Sequence, residues 1–248
     1  MSIRDFCFAT GLSLLVSEGV HAQEFVISDH KEQIWFQYFA QAQVSKKWGI
    51  WLDGGFRTED HFTKGVSTIV GRIGAIYSVS KSVRAMGGYA FFNQYPAYDV
   101  QGVAQPEHRF WQMVQYQTNQ GRSQFTHNIR LEERFRQKLL TPDELDDAFR
   151  FNYRFRYSFS WQYPLRKPHL TKGDLSAILL DEIMFNFGKQ VVYDHLDQNR
   201  FMAGLRYYFN RDNNLMVSYL HIFQKTPAPQ LVRISNNIRV SYFQTLHL

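Results

Sequence analysis

Charged side chains, most of them arginine, recur at alternate positions along two segments of the chain. Residues 130–136 read Arg-Leu-Glu-Glu-Arg-Phe-Arg, and residues 150–156 read Arg-Phe-Asn-Tyr-Arg-Phe-Arg. Side chains alternate between the two faces of a β-strand, so this spacing collects most of the charges on one face. Cross-strand neighbours lie about 5 Å apart, which lets one glutamate bridge several arginines. The predicted charge network comprises Glu107, Arg109, Arg130, Glu132, Arg134, Arg150, Arg154, Arg156, Glu182 and Arg200.

Two kinds of chemistry fit this network. The first is a lattice of ion pairs that fills and stiffens the interior of a barrel. The second is a constriction that favours anions, because arginine outnumbers acid in the network by more than two to one. All ten lysines fall in predicted turns, loops or strand ends, whereas arginine dominates the polar strand face. Arginine is the preferred cation in enclosed ion pairs, so we expect this face to be interior.

Three histidines could support catalysis near one predicted end of the strands. They are His61, His108 and His195, and the last lies beside Asp194 and Asp197. Hydrolysis would require a nucleophile next to a histidine, and the sequence has no Gly-x-Ser-x-Gly motif. Three potential metal ligands in one polar loop are common by chance. We therefore predict no catalytic residue, no metal site and no cofactor.

The element that positions the charges is clearest over residues 149–163. Every odd position there is aromatic, and every even position is polar or cationic. No helical period fits this pattern, whereas a strand places all eight rings on one face. At about 3.3 Å per residue the segment spans about 50 Å, several times the length of an ordinary strand. Such length with one aromatic face is typical of a transmembrane β-barrel.

Alternation of the same kind marks eleven strands. We expect the connections to alternate between short periplasmic turns and longer extracellular loops, with 138–146 as a polar loop. Because an even strand number is usual, residues 24–30 are expected to add a short twelfth strand; the alternative is an unusual closure of the eleven strands. The fold prediction is an all-β, antiparallel transmembrane β-barrel of about 12 strands. The eleven visible strands are 33–44, 48–59, 68–79, 83–95, 107–118, 124–136, 149–163, 174–188, 199–209, 215–224 and 236–248.

A soluble lipocalin-like barrel would show the same alternation. The strand lengths favour a membrane barrel, because they are about twice those of soluble proteins. The outward rings would also form an exposed apolar surface larger than a soluble monomer tolerates. One feature departs from the membrane pattern: the chain finishes on Leu248, where barrels of this class usually finish on an aromatic residue.

The start of the chain has the features of an export signal. Arg4 precedes an apolar stretch at 6–16, and the small residues Val20 and Ala22 precede a cleavage point. We predict a signal peptide over residues 1–22 and an outer-membrane barrel domain over 23–248. A buried N-terminal helix is the alternative for the first segment.

Composition limits the partners. The single cysteine, Cys7, falls in the predicted signal peptide, so the mature chain would contain no thiol. A formal net charge of +6 would suit nucleic acid or anionic lipid. Because arginine is assigned to an enclosed face, we predict no nucleic-acid partner. The expected partners are outer-membrane lipid and small anions in the lumen.

Five short motifs occur in a fixed order along the chain. They are Gly88-Tyr89, Glu107-His108-Arg109-Phe110-Trp111-Gln112, Arg130-Leu131-Glu132-Glu133-Arg134-Phe135, Asp181-Glu182 with Asn186, and Asp197-Gln198-Asn199-Arg200. Together they resemble the bacterial domain of unknown function 2490 (DUF2490), a family regarded as outer-membrane barrels. The similarity runs from Trp35 to the final strand. The resemblance implies a barrel in the outer membrane of a Gram-negative bacterium; it brings no activity and no catalytic residues.

The sequence therefore predicts an exported outer-membrane barrel of unassigned specific role that is not an enzyme. The first hypothesis is a structural or surface-interaction barrel with an arginine-rich, ion-paired interior. A narrow, anion-favouring pore is one alternative, and an outer-membrane hydrolase is the other.

Overall fold

Eleven strands form a closed barrel in the computed structural model, which describes residues 26–166, 172–191, 195–226 and 231–248. No helix occurs in these ranges, and hence none long and apolar enough to cross a bilayer. The strands are β1 Val26–Gln43, β2 Trp48–Asp60, β3 Lys64–Ser78, β4 Val83–Gln94, β5 Gln105–Gln120, β6 Ser123–Thr141, β7 Glu144–Pro164, β8 Leu175–Phe187, β9 Leu196–Tyr208, β10 Asn213–Lys225 and β11 Leu231–His247.

The barrel closes through one parallel pair of strands. Each strand runs antiparallel to the next along the chain, and β1 pairs with β11 in parallel. With an odd number of alternating strands the first and the last run in the same direction, so this closure must be parallel. Residues 26–30 continue β1 rather than forming a strand of their own. The expected twelfth strand was therefore wrong, and the eleven strands visible in the sequence complete the barrel.

Strands β6 and β7 are longer than the sequence indicates. The expected loop at 138–146 is instead the continuation of both strands, joined by the two residues 142–143. The register between β6 and β7 shifts at Gln137 to Leu139 and again at Leu139 to Thr141. Such bulges interrupt the alternation of side chains, which explains why the pattern stops before the strands do.

The two ends of the barrel differ in their connections. End A carries connections 44–47, 79–82, 121–122, 165–174 and 209–212 together with the end of β11, and end B carries the other five. The expected strict alternation of short and long connections was wrong. End A includes a ten-residue connection, whereas end B includes one of two residues and one of three. At end B, β6 and β7 extend the barrel wall, and the connection between them has only two residues.

The two faces of the barrel have opposite chemical character. Outward side chains are large and apolar; Ile73, Ile129 and Leu205 are each more than 50% exposed. Aromatic rings on this face stack across neighbouring strands, as do Tyr153 of β7 and Phe187 of β8 at 5.2 Å between centroids. The inner face carries charged groups that are buried, and the carboxylates of Glu107, Glu132 and Asp197 are among its least exposed side chains.

Two small apolar clusters line opposite parts of the inner wall. One contains Trp35 with Met202 and Leu220, and the other contains Phe92 with Trp111 and neighbours on β3 and β4. Neither cluster spans the barrel. The interior between them is occupied by the polar and charged side chains of the candidate site.

Candidate functional site

Glu107 of β5 is the most highly connected carboxylate of the interior. Its side chain is fully buried and forms ion pairs with Arg109 at 2.8 Å, Arg134 at 2.5 Å and Arg136 at 3.1 Å. Gln94 donates a further hydrogen bond to it at 2.7 Å. The strand register produces this cluster, because Glu107 lies opposite Arg136 and Arg109 lies opposite Arg134 on β6.

The network continues around the wall through two more glutamates. Glu132 of β6 is fully buried and contacts Arg109 at 3.2 Å, Arg130 at 2.9 Å and Arg156 at 2.8 Å. Arg156 of β7 in turn donates to Glu182 of β8 at 2.7 Å. Arg200 of β9 completes the row at 3.6 Å from Glu182. A chain of alternating charges therefore crosses five consecutive strands.

Two predicted residues have different surroundings from those expected. Arg154 pairs with Asp197 at 2.6 Å rather than with a glutamate of the network. Asp197 was expected in a loop, but it begins β9 and is fully buried. Arg150 lies opposite Arg136 on the same face, and it forms no ion pair with any residue that the structure describes.

Sequence reasoning did not include several charged residues of the other half of the wall. Arg72 of β3 pairs with Asp53 of β2 at 3.1 Å, and Lys31 of β1 is bonded to Glu59. Arg57 of β2 also faces inward. The period-two pattern placed Arg57, Arg72 and Asp53 on the polar face of their strands, and it could have added them to the network.

The lumen contains two chambers, one above the other. The chamber toward end B has a volume of about 430 Å³, and the chamber toward end A has about 440 Å³. Five side chains line both chambers and therefore stand at the constriction between them. We call these residues the arginine belt: Trp35, Arg57, Arg72, Arg156 and Arg200.

Arg57 is the one arginine of the belt that no described carboxylate neutralises. Its guanidinium stacks over the ring of Trp35 at 3.7 Å, and that of Arg200 lies 5.2 Å from the same ring. Stacking on an aromatic face holds a guanidinium in place without neutralising it. The Nε atom of Arg57 is buried and donates no hydrogen bond within the described residues. Arg72 and Arg200, cations that line both chambers beside it, pair with Asp53 and Glu182.

The end-B chamber presents cations to its interior and carries most of its acids in the wall. Nine cationic side chains besides Arg233 line it, against one carboxylate, that of Glu59. Five further carboxylates form ion pairs with these cations, and none of the five lines this chamber. Counted without Arg233, these nine cations exceed the six carboxylates by three. The five are Asp53, Glu107, Glu132, Glu182 and Asp197.

The end-A chamber is lined mainly by amide, hydroxyl and apolar groups. Its arginines outside the belt include Arg84, which donates to the amide oxygen of Gln41 at 3.2 Å. Arg206 likewise donates to the amide oxygen of Gln162 at 3.3 Å. Eight of the 32 residues that line the end-A chamber are cationic, against ten of the 23 that line the end-B chamber, so the cationic surface is denser on the end-B side of the belt.

The connection 95–104 covers part of the mouth at end B. Tyr95 and Ala97 line the chamber, and Tyr98 packs on Gly65. A Cβ atom at Gly65 would lie 2.9 Å from the Cβ of Tyr98, and its φ of +58° is in the left-handed region. Glycine is therefore the residue that permits this contact. The backbone nitrogen of Val103 donates to the carbonyl of Pro142 at 2.9 Å, which fixes the other end of the connection.

The histidines considered for catalysis lie apart. His108 is on β5, where its Nδ1 lies 2.6 Å from the hydroxyl of Tyr89 on the outer side of β4. His61 is in the connection between β2 and β3, and His195 lies just before β9. Asp194 is outside the described residues. Within those residues no group of three or more histidine, cysteine, aspartate or glutamate side chains is placed to hold a metal ion.

One comparison with known proteins gives a match. A family model described as "Protein of unknown function (DUF2490)" matches residues 32–233, most of the chain. No curated protein and no solved structure matches the chain.

Proposed function

We propose that this chain, which belongs to the DUF2490 family, is an integral β-barrel of the outer membrane with an anion-attracting lumen. The main support for the proposal is that large apolar side chains face outward and charged side chains face inward, the reverse of a water-soluble protein. Among the described residues, thirty-five large hydrophobic side chains are exposed, most of them on the strands, whereas Glu107, Glu132 and Asp197 are fully buried. Leaving a large apolar side chain in water forfeits about 1.5–3 kcal/mol each, so this outer face is suited to hydrocarbon.

Strand length supports the same proposal. The shortest strand, β4, has twelve residues and the longest, β7, has twenty-one. A strand tilted by about 45° needs about 9–11 residues to cross the hydrocarbon layer. Every strand is thus long enough to cross. The predicted signal peptide over 1–22 lies outside the described residues and supports export from the sequence alone.

Membrane fractionation tests the location. The full-length gene would be expressed in a Gram-negative host, and the outer and inner membranes separated by density. We expect the protein in the outer-membrane fraction, resistant to carbonate extraction and to high salt, and with a mobility on gels that changes on boiling, as folded barrels show. Recovery in the soluble fraction, with the aromatic face protected from water by the fold, would overturn the proposal.

A specific observation favours passage of anions over a sealed structural barrel. The two chambers are adjacent and share the side chains of the arginine belt, so this belt is what separates the open space at end B from that at end A. Selectivity in pores arises from rings of fixed charge at such constrictions, and arginine favours anions. Planar-bilayer recording of the refolded protein tests this step. Absence of current steps at high protein load would count against anion passage and would favour a sealed structural barrel.

A further inference from the structure

We propose that the end-B chamber is a binding site for a small oxyanion that carries two or three negative charges. This inference rests on the proposed anion-attracting lumen, but it does not depend on where the protein is located. The evidence is the arrangement of charge in the chamber, the state of Arg57 and the size of the space.

The charge of the chamber is directed inward. The carboxylates that neutralise most of its arginines approach from the wall, and Glu107, Glu132 and Asp197 are fully buried there. The guanidinium groups line the cavity while they bond the wall carboxylates, and the nine cations, counted without Arg233, exceed the six carboxylates by three. A bound anion would supply the missing counter-charge without displacing any carboxylate.

Arg57 gives the site a donor with no other described partner. An unpaired buried N–H group costs about 1–3 kcal/mol, so its persistence requires an explanation such as a ligand. Trp35 holds the guanidinium at 3.7 Å, and Phe92 holds that of Arg109 at the same distance. The donors are thus positioned before a ligand arrives, and the flat fork of arginine matches the oxygens of phosphate and carboxylate groups.

The size of the chamber limits the ligand. A volume of about 430 Å³ lies at the lower end of the range for small-molecule sites. It suits a compact molecule such as a diphosphate or a tricarboxylate and excludes a polymer chain of many units. A singly charged ion such as chloride would leave most of the surplus charge uncompensated.

The test is calorimetric titration of the full-length mature protein, refolded in a non-ionic detergent at constant ionic strength. Sodium pyrophosphate and sodium citrate serve as separate probes, which distinguishes phosphate from carboxylate recognition, and sodium chloride is the control. We expect saturable binding of at least one multivalent probe with one site per chain, and none of chloride. Absence of saturable binding of both probes to the folded protein would overturn the proposal.

Arg57 lines both chambers, so Arg57→Gln tests the contribution of the belt and a second variant distinguishes the two chambers. The substitution removes a cation that pairs with no carboxylate, so it leaves no buried acid uncompensated. We expect the affinity to fall about tenfold or more, the loss for one charge-assisted hydrogen bond, and Arg57→Lys to retain part of it. Arg206→Gln is the matched control, because Arg206 lines only the end-A chamber and bonds an amide.

The outcomes separate the site from the proposed location. Boil-sensitive gel mobility and the heat of unfolding report whether each variant folds, independently of binding. Equal losses of affinity in Arg57→Gln and Arg206→Gln would refute the end-B site even if the protein binds anions. Outer-membrane recovery without binding would refute the site alone, and binding without outer-membrane recovery would refute the location alone.

Discussion

At the scale of single residues, the interior depends on carboxylates that each serve several arginines. Glu107 contacts three guanidinium groups, and two of them, those of Arg109 and Arg134, belong to residues that are themselves buried. Removing one partner of a buried pair costs more than the pair contributes, because it leaves the other charge uncompensated. These glutamates are therefore the positions at which one substitution affects the most contacts.

Glu107→Gln should lower the free energy of unfolding by about 3 kcal/mol or more. The shape of the side chain is kept, but three arginines lose their shared counter-charge. Urea unfolding of the protein in detergent micelles, followed by tryptophan fluorescence, measures the change. Glu144→Gln is the control, since Glu144 is exposed at the start of β7 and should change stability little. Equal effects of the two substitutions would contradict the lattice.

The sequence predicted the facing of these residues well and their partners less well. Parity along a strand places Glu107 and Glu132 on the inner face, and neighbouring strands bring them to arginines. Alternation along a strand shows which face a side chain occupies, however, and does not show which partner it meets. Arg150 shares the inner face yet forms no ion pair with a described residue, and its register partner on β6 is another arginine. Asp197 was assigned to a loop, because the pattern did not show where β9 begins.

At the scale of strands, substitutions on the outward face can show whether the barrel is surrounded by lipid or by water. Ile129 lies on β6 between Val114 and Tyr157 of the neighbouring strands and is 51% exposed. In water such a position would accept a charged residue at little cost. In hydrocarbon the same change is unfavourable, and the cost depends on depth.

Ile129→Arg should destabilise the protein folded in phospholipid vesicles by about 2–4 kcal/mol, the cost near the bilayer midplane. Leu140→Arg is the matched control, because Leu140 is 61% exposed near the end-B tip of β6, where the cost should be about 0–1 kcal/mol. Denaturant titration of the vesicle-folded variants gives both values. A neutral or stabilising effect of Ile129→Arg would contradict the lipid contact.

Closure through β1 and β11 can be tested by a cross-link. Phe36 and Val240 are register partners in this parallel pair, at a separation that a disulfide can bridge. Because the predicted mature chain lacks cysteine, Phe36→Cys with Val240→Cys should cross-link on oxidation. The control, Phe36→Cys with Gln244→Cys, is offset by four residues, since Gln244 pairs with Ala40, and should not. Efficient cross-linking of the control pair alone would show a different register.

Strand identity could be predicted because alternation is a local property. All eleven predicted segments correspond to strands, and the errors fall at their ends. The predicted loop at 138–146 was wrong because two bulges break the alternation. The predicted twelfth strand at 24–30 was wrong because an even strand number was assumed. Parallel closure requires a contact between residues about two hundred positions apart, and no local pattern reports it.

At the scale of the whole molecule, the arginine belt exists only in the closed barrel. Trp35 comes from β1, Arg57 from β2 and Arg200 from β9, yet both guanidiniums approach the same ring. Groups that meet across a lumen have no shared spacing in the sequence. The sequence could therefore predict an excess of interior arginine, but neither the two chambers nor the constriction between them.

The belt makes a prediction about ion flow through the whole barrel. If anions cross the constriction, a potassium chloride gradient across a planar bilayer should give a reversal potential of the sign for chloride. Arg57→Gln should move this potential toward zero, because it removes the belt cation that no described acid neutralises. Arg84→Gln, in the end-A chamber outside the belt, should change it less.

The preference for anions should also weaken as the salt concentration rises, since the screening length falls from about 10 Å at 0.1 M to about 3 Å at 1 M. A cation-selective potential in the unmodified protein would refute the role of the belt, because its fixed charges could not then govern which ion crosses.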